Sequence, residues 1–360
     1  MNIALIGLQK SGKTTIFNAL TGQDAEVTGY VSSRVEPNRG IVDIHDPRVT
    51  ELARIYEPRK TVYATVEFVD FAGLSKGAGE HGVFSGEALQ LIKTSDALAV
   101  VVRNFHDTQV DQVHGLSNPA GELEEVLTEL LLADQIAVER RLERIQGDLK
   151  RGKKTPQLTA EQQLFSEMAE QLNEGTPVRE MGLTAEQQKL LAGYQFLTSK
   201  PVFTIVNSDE AQYGKSGSLI EKLSASYPAV EFSGRFEMEL KSLEDAEERQ
   251  VFMEDMGITE SAHVRLAAFA YRTLGYISFF TVGKDEVRAW SIRQGETAVD
   301  AAGTIHTDLA RGFIRAEVFT YNDLMQYGSE KLVKQAGRFR LEGKQYLVAD
   351  GDVLNIRFSV

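Results

Sequence analysis

A short stretch near the start of the chain has the residue types and the spacing to hold a polyphosphate. Gly7-Leu8-Gln9-Lys10-Ser11-Gly12-Lys13-Thr14 fits G-x-x-x-x-G-K-[ST] in full. It follows an apolar run, Asn2–Ile6, and precedes an apolar helical stretch, Thr15–Leu20, which is the context that pattern requires. The glycines let the main chain curl so that several N–H groups converge, and the helix start adds positive potential. Lys10, Ser11, Gly12, Lys13, Thr14 and Thr15 are therefore the expected phosphate cradle. Lys13 is expected to reach the β- and γ-phosphates and act in catalysis, and the Thr14 hydroxyl to ligate Mg²⁺. A chance glycine turn is the bland alternative.

Asp70-Phe71-Ala72-Gly73 closes a second apolar run, Thr65–Asp70. In phosphate-binding enzymes of this kind such a D-x-x-G element holds Mg²⁺ through a water on the Asp, and the Gly N–H meets the γ-phosphate. The rival is a plain turn. Leu74 follows, where many GTPases carry a glutamine that orients the attacking water, so that polar group must come from elsewhere. The stretch Ser75–Gly86 is glycine-rich, which predicts a segment that orders around the γ-phosphate. His81 within it is a candidate general base, against the reading of a solvated loop histidine.

A third run, Pro201–Asn207, ends in Asn207-Ser208-Asp209-Glu210, where N-K-x-D marks a guanine site. That Asp accepts two hydrogen bonds from guanine. Glu210 carries one methylene more, which displaces the carboxylate and spoils the paired fit. Asn207 and Glu210 are thus the expected base contacts, with ATP preferred over GTP. A polar strand cap with no base contact is the alternative.

These groups need a scaffold. Asn2–Ile6, Thr65–Asp70, Ala97–Arg103 and Pro201–Asn207 are continuous apolar runs, as in parallel strands covered on both faces. About residues 121–199 intervene, rich in Glu, Gln, Leu, Lys and Arg, with Leu127, Leu130, Leu131, Val138, Leu142, Ile145 and Leu149 on one helical face and Leu164, Met168 and Leu172 on another. Leu-Thr-Ala-Glu-Gln-Gln occurs twice, which predicts two capping boxes, at Thr159/Gln162 and Thr184/Gln187, within an antiparallel helical hairpin. Lys150, Arg151, Lys153 and Lys154 at its tip are candidate contacts for RNA phosphates, against the reading of a solvated loop. From residue 278, Phe279–Val282 and Val287–Ile292 read as strands, Ala301–Arg311 as a helix, and Gln345–Ala349 with Val353–Phe358 as a hairpin about Asp350-Gly351. This suggests a small β-grasp domain, with Phe279, Phe280, Trp290 and Phe313 more in keeping with a core than with a stacking platform.

The chain of 360 residues has a formal charge of −13 and no cysteine. The first argues against coating nucleic acid broadly, and the second excludes a disulfide framework or a thiolate metal site. No apolar run approaches the roughly 18–20 residues of a membrane span, and nothing at the N-terminus reads as a signal peptide. The expected location is cytoplasmic, with no membrane and no DNA partner.

These residues resemble the YchF, or Obg-like ATPase, family over nearly the full length. The resemblance is carried by Gly7–Thr14, Val35-Glu36-Pro37-Asn38-Arg39-Gly40, Phe68-Val69-Asp70-Phe71-Ala72-Gly73-Leu74 and Asn207–Glu210. Arg311-Gly312-Phe313-Ile314-Arg315-Ala316-Glu317-Val318 and Gly351-Asp352-Val353 extend it into the family's TGS domain. It implies an α/β fold: a Ras-like P-loop NTPase core (residues 1–120 and 200–277), an inserted α-helical hairpin (121–199) and a C-terminal β-grasp, or TGS, domain (278–360). It also implies slow hydrolysis of ATP, sometimes GTP, and association with the ribosome or ribosomal RNA.

The chain departs from the family at four places. Lys10 replaces an asparagine that helps related enzymes bind K⁺, and its ammonium is expected to supply that charge. Arg34 stands where a Mg²⁺-ligating threonine is expected. Either Ser32 or Ser33 takes over the ligation, or Arg34 contacts phosphate oxygens and acts in catalysis. The stretch after Ala78 diverges from the family's glycine pattern. Ser233-Gly234-Arg235 replaces its Ser-Ala loop behind the base, which makes Ser233 a candidate base contact. The expected function is a Mg²⁺-dependent ATPase switch acting on a ribosome-like partner. The alternatives are a GTPase of relaxed specificity and a nucleotide-gated ribosome- or RNA-binding module with little hydrolysis. A pure RNA scaffold leaves Gly7–Thr14 without a purpose.

Overall fold

The computed structural model describes residues 1–23, 25, 37–71, 84–243, 245–255 and 262–359. Gly73, Leu74 and His81, and Ser32, Ser33 and Arg34, lie outside them. In chain order the elements are β1 (Asn2–Ile6), α1 (Lys13–Thr21), β2 (Asn38–Ile44), α2 (Pro47–Tyr56), β3 (Lys60–Val62), β4 (Ala64–Asp70), α3 (Gly86–Ile92), β5 (Ala97–Asn104), α4 (Thr108–His114), α5 (Pro119–Lys150), α6 (Pro156–Asn173) and α7 (Ala185–Leu191). There follow β6 (Val202–Ser208), α8 (Gly217–Ser224), β7 (Ala229–Phe232), α9 (Gly234–Ser242), α10 (Ala246–Asp255), α11 (Ala262–Thr273), β8 (Tyr276–Thr281), β9 (Glu286–Arg293), α12 (Ala298–Ile305), α13 (Thr307–Arg311), β10 (Phe313–Thr320), α14 (Tyr321–Tyr327), α15 (Glu330–Gln335), β11 (Arg340–Glu342) and β12 (Asp352–Phe358). The chain packs as two compact units, Met1–Gly40 with Glu67–Ala262, and Ile41–Val66 with His263–Val360.

The first sheet has the order β2-β4-β1-β5-β6-β7. β1 runs parallel to β4 and β5, and β5, β6 and β7 continue in parallel. Ala97–Val102 of β5 are all buried, as are all residues of β6, because helices cover both faces. In such a sheet ligands sit beyond the carboxyl ends of the strands, where the order reverses. Register puts Leu5 beside Asp70 and Asn104 beside Ser208, so the loops after β1, β4, β5 and β6 open at one end.

The helical insert belongs to this first unit. α5 and α6 fold back on each other through Val138, Leu164, Phe165, Met168 and Leu172, all buried in one cluster. Asp134, fully buried in α5, accepts from the Leu197 and Thr198 amides at 2.9 and 2.7 Å and from the Thr198 hydroxyl at 2.7 Å. This fixes the insert to the segment leading into β6. The second capping box forms, with Thr184 and Gln187 bonded reciprocally. The first does not. α6 starts at Pro156 under a Thr155 cap, and Thr159 lies inside the helix with its hydroxyl on the Thr155 carbonyl. A proline at the first helical position sets φ without losing an amide bond, so it wins over the downstream Thr.

The second sheet has the order β11-β10-β12-β8-β9-β3. β8 and β9 form an antiparallel hairpin, β12 is parallel to β8, and β10 is antiparallel to β12. Ala298, Ala301 and Ala302 of α12 pack against this sheet with Phe279, Phe313 and Leu354, the β-grasp arrangement. Phe279, Phe280 and Phe313 are core, and Trp290 stacks on Phe279. The helix expected over 301–311 breaks at His306, which caps α13 by accepting from the Asp308 amide. Gln345–Ala349 is not a strand and makes only the bridge Thr297–Leu347. The hairpin at Asp350-Gly351 therefore does not form. β12 takes its partners from β10 and β8, and the Asp350 carboxylate is occupied by the Ser278 amide and Arg48.

The units divide the chain differently from the three sequence-based parts. Residues 41–66 group with the C-terminal sheet because β3 joins it as an outer strand, parallel to β9.

Candidate nucleotide site

β1 delivers the chain into a tight curl at Gly7. Gly7 has φ 151° and a Cβ there would lie 2.4 Å from the Val101 carbonyl; Gly12 has φ 92° and a Cβ would lie 2.1 Å from Asn207 Nδ2. Neither place admits a side chain, so the glycines of the motif are required by backbone shape and by close approach alike. Lys10 takes the left-handed region at φ 61° and is exposed.

Lys13, on the first turn of α1, bends back over this curl. Its ammonium donates to the Gly7 and Leu8 carbonyls at 3.0 and 2.7 Å. Burial holds its pKa down at about 8, against an upward pull from the Asp70 and Glu122 carboxylates. A lysine buried beside two carboxylates and resting on neutral carbonyls is poised for an anion to replace those carbonyls. Next to it, the Thr14 hydroxyl donates to Asp70 Oδ2 at 2.9 Å, with both residues buried. Thus the groups expected to serve Mg²⁺, from the ends of the α1 loop and β4, meet. Ser11 and Thr15 flank them. The Ser11 hydroxyl is buried with no partner among the described residues, and the Thr15 methyl faces Gly234.

Asn207 ties the loop to the base side. Its Nδ2 donates to the Ser11 carbonyl at 3.0 Å and its Oδ1 accepts from the Gly234 amide at 3.2 Å. This buried amide braces two loops. Asp209 is absorbed by the chain, accepting from the Gln212 and His106 amides at 2.9 and 3.2 Å. Glu210 is exposed beside it. Ser233 is 1% exposed and its hydroxyl has no partner among the described residues. Ser233 is as enclosed as Ser11, and its side chain is not what holds Asn207. Its neighbour Gly234 makes the bond to Asn207 instead.

Two contributors escaped the sequence reading. The Phe105 ring, just after β5, lies 3.9 Å from where a Cβ on Gly12 would be, giving the site an apolar wall. Glu122, in the first turn of α5, accepts from the Arg103 amide at 2.8 Å and adds to the field at Lys13. The run of apolar residues ending in Arg103 marked the strand, but nothing local marks a ring or a carboxylate delivered from a different element.

At the hairpin tip Lys150, Arg151, Lys153 and Lys154 are all exposed. Lys153 pairs with Asp148 at 3.1 Å. Of the arginines on the preceding turns, Arg141 is taken by Glu161 in a two-bond pair at 2.8 and 2.7 Å. Among the described residues no helix is long and apolar enough to cross a membrane, and no group of three or more His, Cys, Asp or Glu side chains is placed to hold a metal.

Comparison with known proteins agrees with this arrangement. A family model for the C-terminal part of YchF GTPases, described as a protein of unknown function, matches residues 276–359. A model described as a 50S ribosome-binding GTPase matches residues 2–138. A Bacillus subtilis protein named ribosome-binding ATPase YchF is 38% identical, with 100% of both chains aligned. A Haemophilus ducreyi protein of the same name is 39% identical over 99% of this chain and 98% of its own. The solved structure of the Schizosaccharomyces pombe YchF GTPase superposes with a TM-score of 0.83 at 29% identity, covering 99% of this chain and 97% of the other.

Proposed function

This chain belongs to the YchF family, and from that premise we propose that it is a ribosome-binding ATPase that takes Mg²⁺-ATP at the loop between β1 and α1. The observation that carries the reading is the convergence of Lys13, Thr14 and Asp70 at the mouth of a glycine curl. On binding, the Lys13 ammonium exchanges two carbonyls for β- and γ-phosphate oxygens, and the amides of Lys10 to Thr15 receive the remaining charge. The Thr14 hydroxyl and, through water, the Asp70 carboxylate suit a hard divalent cation. Mg²⁺ held there would neutralise charge that the β- and γ-phosphates carry. Gly73, Arg34, Ser33 and His81, outside the described residues, keep the γ-phosphate, catalytic and metal roles set out above only as proposals.

The base is proposed to lie between Phe105 and the Asn207–Glu210 turn, with adenine preferred because Glu210 cannot make the paired contact an aspartate makes to guanine. GTP is the second reading, favoured by the GTPase named in the family model over residues 2–138. The working parts are proposed to be the nucleotide core (1–120 and 200–277, of which 41–66 and 263–277 pack with the C-terminal unit), the hairpin (121–199) and the C-terminal domain (278–360). The cations of the hairpin tip meet ribosomal RNA, and the protein acts in the cytoplasm without a membrane or DNA partner. Titration calorimetry with Mg²⁺ and ATP or GTP tests the base assignment on wild type and Glu210→Asp. ATP should bind the wild type more tightly, and the variant should gain about tenfold for GTP, equivalent to ~1.4 kcal/mol. Tighter GTP binding that the variant leaves unchanged would refute it.

A further inference from the structure

We propose that residues 41–66 transmit the state of the phosphate site to the C-terminal β-sheet, held to that sheet by a clasp between Arg48 and Asp350 and by the pairing of β3 with β9. The inference rests on the nucleotide reading above and adds where the signal goes.

The segment is held to the C-terminal sheet and its helices at three points. First, Arg48 of α2 donates to both oxygens of Asp350, at 2.7 and 3.2 Å, while its Nε and Nη2 hold Asp46, the residue that caps α2. Its guanidinium also lies 5.1 Å over the buried Phe280 ring. A planar cation with two carboxylates and a ring face is far more directional than an ordinary surface pair. Asp350 in turn accepts from the Ser278 amide of β8 at 2.9 Å, so the clasp ends on sheet backbone. Gly351 leaves room for it, since a Cβ there would stand 3.1 Å from Arg48 Nη1. Second, Lys60, Thr61 and Val62 pair in register with Glu286, Val287 and Arg288, and the Arg59 amide donates to Lys284. Third, the Tyr56 hydroxyl at the end of α2 donates to Glu330 at 2.7 Å.

The other end of the segment is the phosphate site. β4 starts at Ala64, one residue after β3, and finishes at Asp70, whose carboxylate holds the Thr14 hydroxyl. Only Tyr63 and the strand residues Ala64–Val69 separate the metal-side carboxylate from the C-terminal sheet's outer strand. Coupling between sites travels through rigid secondary elements, and β4 is such an element, paired in register with β1 over Glu67–Asp70. A ligand that draws Thr14 away from Asp70 changes what β4 is bonded to at one end while its other end is clamped. Coupling of this kind is reciprocal, so a partner that binds the C-terminal sheet changes nucleotide affinity by the same factor.

Amide hydrogen exchange on the full chain, with and without a non-hydrolysable ATP analogue and Mg²⁺, tests this. Binding should protect residues 7–14 and, in wild type, alter exchange at 60–62 and 276–293 by about twofold or more. In Arg48→Gln and in Asp350→Asn, which keeps an acceptor for Ser278, protection at 7–14 should persist while the distant change falls to less than about half. Arg54→Gln, which removes only an exposed pair with Glu51 on the same helix, should behave as wild type. Protection at 7–14 with no change at 60–62 and 276–293, or a full distant change in both clasp variants, would overturn the inference alone. No protection at 7–14 would overturn the nucleotide reading and this inference with it.

Discussion

Lys13 offers a quantitative test of the phosphate site. In the free protein its pKa stands at about 8 rather than 10.5, with burial the main cause. Bound triphosphate surrounds the ammonium with negative charge and should restore an ordinary value. At about pH 7, about a tenth of free sites carry neutral Lys13, at pH 8 about half, and at pH 9 about nine-tenths. Nucleotide binding should therefore take up about three-quarters of a proton at about pH 8.5, and apparent affinity should fall roughly tenfold between about pH 7 and 9. A terminal phosphate, with its last pKa near about 6, is already ionised over this range and adds nothing. Calorimetry in buffers of different ionisation enthalpy measures the uptake directly as the slope of observed enthalpy. A slope near zero at about pH 8.5, or an affinity flat across the range, would refute the placement of Lys13 against the phosphates. Without nucleotide the same shift acts on stability. The folded pKa lies below the unfolded one, so the buried charge destabilises the fold fully below about pH 8. That cost, about 3 kcal/mol at most, disappears as pH rises toward 10.5.

Three further perturbations probe the scaffold. Asn207→Ala strips the Ser11 carbonyl and the Gly234 amide of their shared partner. It should cost about 2 kcal/mol in urea unfolding and weaken nucleotide binding, and a variant as stable as wild type would contradict the bracing role. Asp134→Ala orphans three donors at the root of the insert. A loss of roughly 3 kcal/mol with nucleotide affinity unchanged is expected, and calorimetric unfolding with a parallel titration separates the two. Replacing Lys150, Arg151, Lys153 and Lys154 together by alanine should weaken sedimentation with ribosomes and flatten its salt dependence. The Lys153–Asp148 pair means that fewer than four charges are lost to the partner. Unaltered salt dependence would assign ribosome contact elsewhere.

The candidate phosphate site was legible because its chemistry is local. The curl, the glycines and Lys13 lie within one short stretch, and their shape follows from backbone sterics that residue type dictates. The parallel strands were legible for a similar reason, since burial on both faces writes an uninterrupted apolar run. The failures all involve competition between neighbouring signals or partners remote in sequence. Thr159 carries a valid cap pattern but loses to Thr155 with Pro156.

Residues 41–66 show the limit most clearly. Lys60–Val62 is too short for any period to be read, and its side chains are largely exposed, so no local rule marks it as a strand. Arg48 follows an Asp cap by two positions and reads as part of a helix start, which it is. Two of the five hydrogen bonds of its side chain, however, go to a carboxylate 302 residues away. Asp350 likewise reads as the first residue of a hairpin turn, and the turn forms without the hairpin because β12 pairs with β10 and β8 instead. Each residue obeys its local preference, and the tertiary pairing is decided by charge complementarity and sheet register that local preference leaves open. A clasp of this kind can change without disturbing either helix start or turn, which leaves Arg48 and Asp350 free to set how strongly the C-terminal sheet feels Asp70.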